Sequence, residues 1–226
     1  MKCTCTTCEI RNIFFNTIDE DSLDAYCSAR VEKVIPKGKK FIVQGKKIKE
    51  FVYMKSGLVK LHMTDENGLD HIISFGMPMD FVNVHNVFSE KRYSFSVTAI
   101  EDTVICIFDI KIIENLIRTN GAFAISLIKQ ISNSSNRIIS NSMNIIKKNV
   151  YGKLAHILLF FSEKVYFTNE FDLPISRKDM ALYTGLSIET IIRAISEFRD
   201  DGILKVYGKR IEIIDIEKLK GIYIHS

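Results

Sequence analysis

The sequence predicts an α+β chain in three parts: an antiparallel β-roll of the double-stranded β-helix kind, one long dimerisation helix, and a C-terminal winged helix-turn-helix. Three observations predict it. Short β-type runs recur about every 8–12 residues between positions 34 and 108. The proline-free stretch 121–147 carries a sustained apolar heptad. Residues 176–213 then read as a capped helix, a glycine turn, a second capped helix and a hairpin. The expected division is a β-roll domain with a cysteine-rich tail over 1–119, the dimerisation helix over 120–147, and the winged domain over 148–226.

The β-roll runs are KKFIVQG (39–45), EFVYMKSG (50–57), LVKLHMT (58–64), DHIISFG (70–76), SFSVTAI (94–100) and TVICIF (103–108). They are rich in Val, Ile and Phe, and turn residues punctuate them at Pro36-Lys37-Gly38, Ser56-Gly57, Glu66-Asn67-Gly68 and Gly76-Met77-Pro78. A short helix follows at 109–119. Along 121–147, Ala124, Ile128, Ile131, Ser135, Ile138, Ser142 and Ile145 alternate spacings of four and three. That is the seam of a two-stranded coiled coil, and so of a homodimer. One helix packing on its own domain gives the same period. Length favours the dimer, because about 25 residues at 1.5 Å each outrun one small β domain. Two serines in the seam make it weaker than an all-isoleucine one.

Bulk properties narrow the class. The 226 residues suffice for one large domain or two ordinary ones, and 46% hydrophobic with 26% charged residues describes a packed globular chain. The net charge of +4 permits a polyanionic partner without predicting one. The N-terminus lacks the apolar segment of a secretory signal, and runs such as HILLFF (156–161) fall far short of the roughly 20 residues that span a bilayer. The expectation is a soluble, cytoplasmic protein with no membrane partner. Five cysteines in a reducing compartment are then buried, metal-binding or redox-active rather than bridged.

The last third holds the densest signal. YGKLAHILLFFSEKV is an amphipathic helix and FDLPIS a short extended piece. Ser176 caps a helix through 177–183, with Asp179 three residues on completing a capping box. Gly185 ends it where a left-handed residue belongs. Ser187 caps the next helix, which runs through Phe198. Ala181, Leu182, Leu186, Ile191 and Ile195 hold the two helices together. ILKVYGKRIEII then folds back at Tyr207-Gly208-Lys209 as the wing. This layout sets a second helix into a DNA major groove.

On that second helix Glu189 and Arg193 sit i, i+4 on one face. A carboxylate there accepts from a cytosine amino group and an arginine bonds bidentately to guanine. The plain alternative is an exposed ion pair worth a few tenths of a kcal/mol. Arg177, Ser187, Thr190 and Lys209 are candidate phosphate contacts, which position a domain without specifying sequence. Charge does not make the case: residues 147–226 hold 13 Lys and Arg against 11 Asp and Glu, a net of +2.

The order of parts resembles the CRP/FNR family of bacterial transcription regulators, over nearly the whole chain. The segments that carry the resemblance are ISRKDMALYTGLSIETIIRAISEFRDDGIL, YGKRIEI, KGKKFIVQGKKIKEFVYMKSGLVKLHM and VTAIEDTVICIF. It implies a cyclic-nucleotide-binding-like roll and no enzymatic activity. It also implies a palindromic double-stranded DNA site and RNA polymerase as a partner. In the family, the Glu and Arg matching Glu189 and Arg193 read the inner bases of each half-site, implying a TGA-type core. A serine lies between them in the oxygen-sensing branch, where this chain has Ile192. An isoleucine there can contact a thymine methyl.

The family's cyclic-AMP branch uses a G-E-L turn and an Arg-Ser pair. Here the matching stretches are MDFVNVHN (79–86) and KRYSFS (91–96), with no Glu for the ribose and Tyr93 at the arginine position, although Arg92 is adjacent and Ser94 is kept. A buried phosphate needs a paired cation, so cyclic AMP is not the expected effector. Oxygen sensors of the family hold an iron–sulfur cluster on three N-terminal cysteines, C-x2-C-x5-C, and one in the roll. Cys5 and Cys8 match the first pair and Cys106 the distant position. The third position is Phe14, so Cys3 must substitute; Cys27 falls in the helical segment LDAYCSARV. The implied ligands are therefore Cys3, Cys5, Cys8 and Cys106. Zinc and a Cys5–Cys8 thiol–disulfide switch are the rivals. Cys106 in an apolar strand also reads as a small core residue.

His62, His71 and His85, on or near roll strands, are weak candidates for haem or for a cupin-like metal site, and His156 on an apolar helix reads as a packed histidine.

Overall fold

The computed structural model describes residues 29–226. They divide into two compact units: Phe75–Ile138 with the described residues up to Asn67, and Gly68–Ser74 with Ile139–Ser226.

The roll strands are β1 (Val31–Ile35), β2 (Lys40–Ile42), β3 (Glu50–Ser56), β4 (Val59–Thr64), β5 (Asp70–Gly76), β6 (Ser96–Ala99) and β7 (Thr103–Asp109). They form two sheets, ordered β1-β7-β3 and β2-β6-β4-β5. β7 is the centre of the first, antiparallel to β1 from Val31↔Ile107 to Ile35↔Thr103 and to β3 with Tyr53 opposite Cys106. β6 pairs antiparallel with β4 from Val59↔Ala99 to His62↔Ser96. The core is built by Phe51, Val52, Tyr53, Met54, Leu58, Val97 and Ile105, all buried. Central runs such as FVYM and ICIF are apolar on successive residues because both faces are covered. β1 gave no such signal, since four of its five residues are exposed.

Gly57 joins β3 to β4 at φ +88°, and a Cβ there would lie 2.5 Å from the Asp102 carbonyl oxygen. Only glycine fits that turn.

Three helices follow in the chain or interrupt the roll. α1 (Val84–Val87) is a single turn, α2 (Ile110–Thr119) is capped by the Asp109 side chain accepting from Lys111 N at 2.8 Å, and α3 spans Gly121–Lys147. Phe123 and Leu127 on α3 are buried, whereas Ile128 is 61% and Ile146 72% exposed. The exposed stripe runs through Ile125, Ile128, Ser132, Ile139, Ser142 and Ile146, with half-buried Ser135 in register. It shares Ile128, Ser135 and Ser142 with the expected seam but is offset by one residue elsewhere. Ile131 and Ile138 are half-buried and Ile145 is buried. Adjacent isoleucines at 138–139 and 145–146 leave the period ambiguous, and packing decides which of each pair turns outward.

The C-terminal unit adds α4 (Val150–Leu159), a π-helical turn (Phe160–Tyr166), β8 (Glu170–Asp172), α5 (Arg177–Thr184), α6 (Ile188–Asp200), β9 (Leu204–Tyr207), β10 (Arg210–Ile213) and α7 (Ile216–His225). Its sheet is ordered β8-β10-β9, and α7, which the sequence had not announced, packs on α4. Among the described residues no helix is long and apolar enough to cross a membrane.

Candidate nucleic-acid interface

Local chemistry fixes the α5–α6 angle. Ser176 Oγ accepts from Asp179 N at 3.0 Å while the Asp179 carboxylate accepts from Ser176 N at 3.0 Å, a reciprocal capping box. Gly185 ends α5 at φ +69° and donates its N–H to Ala181 O at 2.9 Å. Ser187 opens α6 by accepting from Thr190 N at 3.1 Å. Met180, Ala181 and Thr184 of α5 and Ile191, Ala194, Ile195 and Phe198 of α6 are buried. That burial leaves Glu189, Ile192 and Arg193 outward on α6, with the Ile192 residue 51% exposed and the Arg193 side chain 73% exposed.

The electrostatics of this face are specific. The Glu189 carboxyl lies below its ordinary range because it accepts from its own backbone N–H and from the Ser187 hydroxyl. Ser187 and Thr190 hydroxyls are also 3.0 Å apart. Both of these candidate phosphate contacts are thus engaged in the helix start. Arg193 Nε lies 4.0 Å from Glu197 Oε1.

The wing lies on β9 and β10, paired from Leu204↔Ile213 to Tyr207↔Arg210. Leu173 N donates to Lys209 O at 2.8 Å, and Arg210 closes on Glu170 at 2.7 Å. Arg177 reaches the wing turn, with Nη2 3.5 Å from Gly208 O, and its pKa is lowered by burial. Sequence reasoning gave Arg177 to phosphate; the structure also makes it a strut beneath Gly208. Lys209 is exposed on the turn beside Tyr207.

Two families match this chain: Cyclic nucleotide-binding domain over residues 32–120 and Crp-like helix-turn-helix domain over residues 152–222. The chain belongs to the CRP/FNR family of transcription regulators. Electron transport regulator A of Shewanella oneidensis is 28% identical over 211 residues, covering 90% of this chain and 82% of its own. The Fumarate and nitrate reduction regulatory protein of Vibrio cholerae is 27% identical, covering 95% and 88%. FixK2 of Bradyrhizobium japonicum has the same fold, with TM-score 0.76 at 21% identity over 85% of this chain and 96% of its own. A putative CRP/FNR regulator of Eubacterium rectale gives TM-score 0.76 at 18% identity over 94% and 99%. The family is one of DNA-binding regulators, not enzymes.

In this CRP/FNR chain the roll segment matching the nucleotide-binding turn is tied to its own surroundings. Asn83 accepts from Val52 N at 3.0 Å and donates to Glu50 O at 2.7 Å and the Tyr93 hydroxyl at 3.4 Å. Asn86 donates to Ser94 Oγ at 2.8 Å, and Arg92 donates to Gly45 O at 2.8 Å. Tyr93 is buried, which raises its phenol pKa. At the first residue of this segment Met79 takes φ +74°, a left-handed conformation that costs a non-glycine residue energy. It presents Asp80 to Arg137 of α3 at 2.7 Å, and His85 Nε2 meets Ser134 Oγ of α3 at 3.0 Å. Sequence reasoning missed both pairs, whose partners lie 57 and 49 residues apart.

Cys106 is buried on β7 between Glu32 of β1 and Tyr53 of β3. Cys3, Cys5, Cys8, Phe14 and Cys27 lie outside the described residues. His62 is buried with Nε2 2.9 Å from Thr98 Oγ1, and His71 is exposed. Among the described residues no three His, Cys, Asp or Glu side chains converge on a cation.

Proposed function

We propose that the protein is a cytoplasmic, homodimeric regulator that reads a palindromic DNA site with Glu189, Ile192 and Arg193 and responds to oxygen, redox state or nitric oxide through a cysteine-bound iron–sulfur cluster. The observation that carries the DNA part is the outward face of α6, held between the Ser187 cap and a wing braced by Arg177 and Arg210. An exposed Arg193 offers a guanidinium fork to guanine O6 and N7, Glu189 an acceptor to a cytosine amino group, and Ile192 a methyl surface to thymine. Lys209 on the wing turn, with Arg177, Ser187 and Thr190 near the helix starts, supports phosphate contacts that fix register. The half-exposed isoleucine stripe on α3 supports the homodimer, and RNA polymerase is the partner such a regulator addresses at a promoter.

Support for the cluster is chemical. Cys3, Cys5, Cys8 and Cys106 supply the four soft thiolates it needs. A thiolate at buried Cys106 is stable only with a compensating cation beside it, which a metal provides. The relatives named for fumarate and nitrate reduction and for electron transport point the same way. When bound, such a cluster supplies oxygen-labile iron–sulfur bonds. The chain's part is to couple the roll to α3, and the Asp80–Arg137 and His85–Ser134 pairs are the contacts that do so. Asn83 and Tyr93, bonded to each other, favour a cysteine-borne signal over cyclic AMP.

Anaerobic purification followed by ultraviolet-visible spectroscopy, iron and sulfide assay, and DNA binding before and after air tests the reading. Iron-loaded, coloured protein that loses DNA affinity in air is expected. Colourless, iron-free protein with unchanged affinity in air would sink the cluster while leaving the DNA face intact.

A further inference from the structure

Basic side chains are unevenly spread along the chain. Lys37, Lys39, Lys40, Lys46, Lys47 and Lys49 fall within 36–49, a stretch with no carboxylate. The roll brings Lys91 and Arg92 beside them. Lys47 bridges Arg92 in antiparallel register, Ile48 N donates to Lys91 O at 3.1 Å, and Tyr93 N donates to Lys46 O at 2.9 Å. Further along, the same two segments still run side by side: Lys40 pairs with Thr98 of β6, and Ala99 N donates to Lys39 O at 3.0 Å. They make one ribbon up to about 20 Å long, at about 3.3 Å per residue, with basic residues at both ends.

All eight basic residues are exposed, and among the described residues none of their side chains closes an ion pair. The nearby carboxylates are Glu50 and Glu90, adjacent in sequence, and Asp102, which accepts from Lys37 N at 2.8 Å. Eight of the chain's 31 Lys and Arg thus lie here, leaving 23 against 27 Asp and Glu over the rest of the chain. The region 147–226, which carries the winged helix-turn-helix, has a net charge of only +2. Positive charge supplies the sequence-independent part of DNA affinity, so that part is concentrated on the roll. β2 is an edge strand, and lysines on an edge also block pairing with another chain. That role does not account for so many: β2 has three residues, while the opposite edge, β5, has seven and no lysine.

We propose that this ribbon is a second, sequence-independent DNA-binding surface, which takes the phosphate backbone of a duplex. It requires only the DNA binding of the family and not base reading by α6. About 20 Å of duplex presents about a dozen phosphates, a regular line of charge that a ribbon of unpaired lysines matches. An acidic protein is the poorer fit, because lysine is depleted from protein interfaces and seven of the eight cations are lysine.

The test measures affinity of the full-length protein for a random-sequence duplex as a function of salt. Lys39→Gln, Lys40→Gln, Lys46→Gln and Lys47→Gln together should flatten the slope of log affinity against log salt by about two to four per protomer. The four Lys→Arg replacements at these positions should keep it. A control that removes equal charge elsewhere, with Lys111, Lys129, Lys147 and Lys164 changed to Gln, should flatten it by less than about one. Should the fourfold Gln variant not fold, the 39–40 and 46–47 pairs are tested separately, each with about half the effect. Equal flattening in the ribbon and control variants means that net charge alone matters, and overturns the proposal. An unchanged slope also overturns it, and aggregation of such a variant assigns the lysines to edge protection. Polyglutamate bound by the native protein but not by the ribbon variant, with duplex binding equal in both, assigns the surface to an acidic protein instead. Base reading fails or stands separately: Arg193→Ala should abolish preference for a selected site while the ribbon substitutions still flatten the slope.

Discussion

His156 shows how one residue records its surroundings. It is buried on α4, its ring stacks on Tyr223 at 5.7 Å, and Lys148 sits 4.1 Å over that same tyrosine. Desolvation, then the Lys148 charge, lowers its pKa to about 4 from 6.5. Between those values the unfolded chain holds a proton that the folded one refuses. Stability therefore rises with pH through this window, is complete above about 6.5, and is lost as pH falls toward 4. The linkage amounts to about 3 kcal/mol. Urea unfolding at pH 4.5 and 7 should show it, and His156→Leu should flatten the slope, because Nε2 has no hydrogen-bond partner among the described residues to lose. Ser187 is the second residue to test. Ser187→Ala removes the α6 cap and should cost about 1 kcal/mol in denaturant unfolding, while freeing Glu189 from one of its donors. The packed reading of His156 and the two serine caps were legible in sequence, because each depends on near neighbours. The partners of Asp80 and Arg177 were not, because each reaches another element.

At the scale of elements, α3 carries two testable features. Its exposed stripe contains Ile128, Ile139 and Ile146. Ile139→Asp should dissociate the proposed dimer in analytical ultracentrifugation while the monomer stays folded. Ile145→Asp should lower stability, since Ile145 is buried in its own chain. The same helix receives the strained turn at Met79 through the Asp80–Arg137 pair, which is only partly exposed. Asp80→Asn leaves Arg137 without its counter-charge and should lower the free energy of unfolding by about 1–3 kcal/mol, less than a fully buried pair would. Asp80→Asn with Arg137→Met should recover part of that loss. Strands β3, β4 and β5 fell where apolar runs and turn glycines placed them. β1 and α7 escaped because mostly exposed strands and a late helix with one buried residue leave no strong period.

For the whole molecule, sequence alone determined the order of parts and the chemistry available to each. Burial patterns, caps and turn glycines act over a few residues, so the roll strands, the length of α3 and the α5–α6 turn could be read from spacing. The residues offered for DNA, Glu189, Ile192 and Arg193, were legible for the same reason: a capped helix with a defined apolar face has a defined opposite face. Tertiary structure alone decided which isoleucine of each adjacent pair on α3 turns outward. It also showed that Arg177 supports the wing and that Asp80 and His85 reach α3. Those outcomes depend on which distant side chain fills a space or answers a charge, and spacing along one segment carries no record of what another segment brings.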